Sequence, residues 1–153
     1  MAISQTSVKM RSGRKRSSAG NALVEFTILM PLLMVTMTGM VAFGFSLHNE
    51  IVLSNAVNLG AQALAFSRGQ TTDPCATAYA AITAAAPSLT SGISVSYVIN
   101  GTSYSATTTC AAGAAEMTQG TSVQVTATYP CALGVYGQSY SCTLKSQTTE
   151  IIQ

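Results

Sequence analysis

The hydrophobic pattern changes period twice along the chain. From Phe26 to Leu47 no residue is charged and most are apolar, a run of 22. A helix needs about 20 such residues to cross a bilayer, whereas the core of a secretory signal is shorter, roughly 7–15. The run therefore predicts a transmembrane helix, with a local kink at Pro31. The helical period continues beyond it. In "NEIVLSNAVNLGAQALAFSRG", Val52, Ala56, Leu59, Ala63 and Phe66 recur at helical spacing, with Leu53, Val57, Gly60 and Leu64 beside them. Glu50, Ser54, Asn55, Asn58 and Gln62 fall off this stripe, as on an amphipathic helix. One helix from about residue 21 to 68 would be roughly 72 Å long, with Gly69 as its stop.

A second, shorter helix follows. In "TTDPCATAYAAITAAAPSL", Asp73 is placed as N-cap, Pro74 at the first helical position and Pro87 beyond the end. The period then becomes two. Ile93, Val95, Tyr97 and Ile99 alternate with Ser94, Ser96 and Val98, and Asn100-Gly101 is a strong hairpin signal. "TSYSATTTC" is the expected return strand, "SVQVTATY" alternates again, and "CTLKSQTTEII" is a weaker last strand. The pattern predicts an α+β chain in three parts. Residues 1–20 form a leader, 21–69 a transmembrane and stalk helix, and 70–153 a small head with a short helix and an antiparallel sheet.

Charge sharpens this picture. Only 8% of residues are charged, against roughly 25% in an ordinary soluble domain, and mean hydropathy is +0.36. Lys9, Arg11, Arg14, Lys15 and Arg16 are five of the seven basic residues, and no acid precedes Glu25. Arg11, Arg14, Lys15 and Arg16 act as a topology signal, because basic residues flanking a membrane helix stay on the cytoplasmic side. No aromatics interleave with them, which argues against single-stranded nucleic acid. The head then lies outside the cytoplasm, where disulfides persist.

Cys75, Cys110, Cys131 and Cys142 all follow the apolar run, and four cysteines allow three pairings. The expected pairs are Cys75–Cys110, tying the short helix to the hairpin, and Cys131–Cys142, flanking "ALGVYGQSYS" as a loop between the last two strands. They lack Cys-x-x-Cys spacing, and the one histidine, His48, is far away, so no metal is expected. Met30, Met34, Met37 and Met40 form a helical stripe better suited to packing or lipid than to a metal. Asn100-Gly101-Thr102 matches a glycosylation acceptor, but the turn explains it. No nucleotide loop or paired-carboxylate motif is present, and the many Ser and Thr lack a base at useful spacing. The chain is not expected to be an enzyme or to hold a cofactor or small-molecule substrate.

Glu25 is the anomaly. An acid in hydrocarbon costs about 2.5–3.5 kcal/mol, and an inert anchor has no use for it. It stands five positions after Gly20, behind the basic leader and before the apolar run. This arrangement resembles the processing site of type IV prepilins, where a membrane peptidase cuts after the glycine. The resemblance implies cleavage between Gly20 and Asn21, with Phe26 completing the motif. It also implies that Glu25 pairs with the new α-amino group of a neighbouring subunit. "ALVEFTILMPLLM", "GMVAFGFSL" and "LSNAVNLGAQALA" further resemble the TadE-like minor pilins, or pseudopilins, of the tight-adherence pilus system. The closing "VQVTATYP" and "LKSQTTEI" resemble that family more loosely, and Gln62 stands where the family often has an Arg.

The resemblance implies a structural part of a bacterial pilus, held before assembly in inner-membrane lipid with its N-terminus cytoplasmic and its C-terminus periplasmic, and able to enter an extracellular pilus. The implied partners are the prepilin peptidase, other pilins and the assembly platform. The main competing reading is an uncleaved single-pass anchor with an extracytoplasmic interaction module. An enzyme domain on an anchor, and a secreted protein cut near Gly44, fit less well.

Overall fold

The structure is a computed structural model and describes residues 18–105, 108–135 and 138–153. It is α+β. A long helix, α1 (Ser18–Phe66), is followed by a short one, α2 (Pro74–Ala85). Four strands complete it: β1 (Ser94–Ile99), β2 (Thr102–Tyr104), β3 (Ser122–Val135) and β4 (Gln138–Ile151). They form one antiparallel sheet in the order β2-β1-β3-β4. The chain divides into two units, residues 1–37 and 38–153, and α1 contributes to both.

In the first unit α1 has an apolar and exposed surface, including Leu23, Val24, Ile28, Leu32 and Leu33. The helix continues through Pro31. The helical hydroxyls turn back on the backbone: Thr27 Oγ1 donates to the Leu23 carbonyl at 2.7 Å and, further along, Thr36 Oγ1 to that of Leu33 at 2.9 Å. Such bonds satisfy a polar side chain where water is excluded.

The second unit holds the core. The buried line of α1 is Leu53, Val57, Gly60 and Leu64, flanked by Ala56, Ala61 and Ala65. This shifts the face expected from the sequence: Leu59 and Phe66 are 50% and 56% exposed. The pattern contains two adjacent apolar stripes, and Gly60 decides between them. A Cβ at Gly60 would lie 2.4 Å from Ile82 Cγ1 and 3.4 Å from the Ala78 carbonyl oxygen. The missing side chain lets α2 press against α1, and that contact turns the Gly60 stripe inward.

The helix α2 begins as its sequence dictates. Asp73 caps it by accepting from the Ala76 N–H at 3.1 Å, and Pro74 occupies the first turn. Cys75, Ala78 and Ile82 form its buried face. The helix stops before Pro87, with the Ala86 N–H donating to the Ile82 carbonyl at 2.9 Å.

Alternation then places one face of the sheet on the helices. Val95, Tyr97 and Ile99 are opposite Ala127, Val125 and Val123, and all six are buried. Ser96 and Val98 face Thr126 and Gln124 on the outer side. Asn100 and Gly101 have φ of 49° and 86°, the two left-handed residues of a tight hairpin turn. The return strand is shorter than expected. β2 stops at Tyr104, and Cys110 precedes a 3-10 helix (Ala111–Glu116) instead of ending a strand. That helix is too short for any period to announce it.

The last hairpin is longer than expected. Residues 132–141 contain paired strand in place of the anticipated loop, with Val135 opposite Gln138. Two-residue spacing of the strand ends favours a ladder carried to its limit, and Cys131 and Cys142 face each other within it.

Candidate functional site

The residues singled out by the sequence are on the first turns of α1. Gly20, Glu25 and Phe26 are all exposed, Phe26 by 56%. Among the described residues nothing lies within 4 Å of where a Gly20 Cβ would be. Asn21 and Glu25 are four residues apart, the spacing that brings two helix positions onto one face. Arg11, Arg14, Lys15 and Arg16 lie outside the described residues. The helix is already present at Ser18, the first described residue. The Gly20–Asn21 peptide is therefore within helical backbone.

The exposed surface of α1 extends beyond this turn. Met30, Met34, Met37 and Met40 are exposed, as are Phe43, Phe45 and Leu47. Soluble monomers rarely present so large an apolar surface. From Ala22 the helix is long and apolar enough to cross a membrane, with mean hydropathy 2.0 over its best window. This is the property of a membrane anchor.

Residues 20–62 match the family model described as TadE-like protein. The chain is TadE-like in that segment. The match begins at Gly20 itself and covers Glu25, the apolar run and the first part of the amphipathic helix. No curated protein and no solved structure matches the chain. The head is outside the family match, so its features stand on the structure alone.

Two disulfides tie the chain's head together, Cys75–Cys110 and Cys131–Cys142, with Cα separations of 5.3 and 4.8 Å. These are the pairs anticipated from the sequence. The first is reinforced by a contact that the sequence did not signal. Asp73 Oδ1 accepts from the Cys110 N–H at 2.9 Å as well as from Ala76 N–H. One carboxylate oxygen thus caps α2 and holds the segment carrying the bridge's other end. A helix cap is legible as a local motif; its second donor, 37 residues away, is not.

Other polar groups secure the same unit. Thr148 Oγ1 on β4 donates to Asn58 Oδ1 on α1. Buried Ser67 donates to the Leu64 carbonyl at 2.8 Å. The hydroxyl of fully buried Tyr97 has no hydrogen-bond partner among the described residues. Burial pushes its phenol well above the usual tyrosine range, and the nearby Tyr79 and Asp73 add to the shift, so Tyr97 stays neutral. Among the described residues no group of three or more His, Cys, Asp or Glu gathers as a metal-ligand set.

Proposed function

We propose that the chain is a minor pilin of the tight-adherence system, cut after Gly20 by the prepilin peptidase and then assembled through α1. The supporting observation is the exposed Glu25 on a TadE-like helix, five residues beyond Gly20. Cleavage creates an α-amino group at Asn21, partly cationic near neutral pH. A carboxylate on a neighbouring helix can neutralise it, and the pair costs less in an apolar bundle than either charge alone. The exposed apolar face of α1 supplies the remaining contact with other pilins and the assembly platform. Before assembly the same face is covered by inner-membrane lipid, with the N-terminus cytoplasmic and the head periplasmic.

Glu25→Gln tests this reading. Gln inserts more easily but cannot neutralise an amine. The variant should be processed like the parent and yet leave cells with few or no pili, counted by electron microscopy. Normal pilus numbers in that strain would remove the pairing role. One structural feature favours the second reading, an uncleaved anchor: α1 passes through Gly20 without a break. On that reading Glu25→Gln changes nothing, because no new amine exists.

A further inference from the structure

The β3–β4 hairpin outgrows its sheet. β1 accompanies β3 only as far as Ser94 opposite Thr128. Beyond that point β3 and β4 continue together from Tyr129–Leu144 to Val135–Gln138 as a two-stranded ribbon. An isolated pair of strands is marginal in water. Here Cys131 and Cys142 clasp it near its base.

The direction of the ribbon is fixed by its contacts with α1. At one end of the sheet Arg68 donates to the Gln153 carbonyl at 3.4 Å. Midway, Thr148 meets Asn58. At the ribbon's base, Tyr129, Pro130, Cys131 and Ala132 line a cleft with Ala42, Phe45, Ser46 and Asn49. The hairpin thus tracks α1 backwards, and three of those four helix residues belong to the uncharged run that ends at Leu47. Four more residues of strand, from Cys131 to Val135, extend up to about 13 Å further. The ribbon therefore starts level with the edge of the apolar run.

Its composition suits that location. No charged residue occurs between Glu116 and Lys145, and Tyr140 on the ribbon is 62% exposed. Tyrosine is enriched where hydrocarbon meets headgroups, because its ring is apolar and its hydroxyl is wet. The backbone sets the depth. Both outer edges of a two-stranded ribbon carry unpaired N–H and C=O groups, which hydrocarbon cannot satisfy and headgroups can.

We propose that the β3–β4 ribbon is a second membrane contact, resting in the periplasmic headgroup zone of the bilayer that α1 crosses before assembly. The inference rests on the reading of α1 as a membrane anchor. Together the two contacts hold the head at a defined tilt against the lipid surface, where a single helix would leave it free to swing.

The chain has no tryptophan, so a single introduced one is a clean reporter. The full chain carrying Tyr140→Trp would be reconstituted in phosphatidylcholine–phosphatidylglycerol vesicles brominated either near the headgroup or near the bilayer centre. Met37→Trp reports on the apolar run, and Ile151→Trp on the opposite end of β4. The reporter at 140 should be blue-shifted and lose most of its emission to headgroup-proximal bromine. The reporter at 37 should be quenched most by central bromine, and that at 151 by neither. Ser141→Trp, another exposed ribbon position, serves if Tyr140→Trp fails to fold. Red, unquenched emission at 140 means water and overturns the proposal. Blue but unquenched emission means cover by protein and overturns it equally. Loss of quenching at 37 as well would locate the failure in the anchor reading itself.

Discussion

Asp73 shows how one side chain can serve two levels of structure. Its Oδ1 satisfies an orphan N–H at the start of α2 and the N–H of Cys110, itself only 5% exposed. Loss of an N-cap costs about 1 kcal/mol, and stranding a buried donor adds about 1–3 kcal/mol. Asp73→Ala should therefore lower the head's stability by about 2–4 kcal/mol, read from the denaturant midpoint of the full chain in detergent. Asp73→Asn keeps the accepting oxygen and should lose much less. Equal losses would assign the effect to charge and contradict the geometry. The sequence showed the cap through Asp73-Pro74. It could not show the bond to Cys110, since nothing local marks which distant N–H lacks a partner.

At the scale of elements, strong periods were legible and their facing was not. The long helix, the short helix and the alternating strands were all present in the pattern, as was the Asn100-Gly101 turn. The buried line of α1 was not, because two apolar stripes run side by side and only the contact with α2 distinguishes them. Gly60 makes that contact possible. Gly60→Val should cost about 1–3 kcal/mol by overpacking, despite removing a helix glycine. Combining it with Ile82→Ala should return part of the loss, because the new side chain then occupies vacated space. Strict additivity in that double-mutant cycle would contradict direct packing of Gly60 on Ile82. The 3-10 helix and the overhang of β3 and β4 also escaped the sequence. The first is too short to show a period. The second was hidden by Pro130, Gly134 and Gly137, residues that ordinarily signal a loop.

For the whole molecule, the segment that the family model matches, residues 20–62, was the most legible part and the head the least. Gly20, Glu25 and the uncharged run form one contiguous motif, and the family match starts at the same glycine. The head's organisation depends on contacts between residues distant in sequence, and the TadE-like match ends at Gln62. The central claim is that residues 1–20 are a leader and that the working protein begins at Asn21. Intact-mass and N-terminal peptide analysis of the protein recovered from cells tests this most directly. The account predicts a chain starting at Asn21 in cells with the prepilin peptidase, and the full precursor in cells without it. Functional protein that still carries residues 1–20 in the presence of the peptidase would contradict the account.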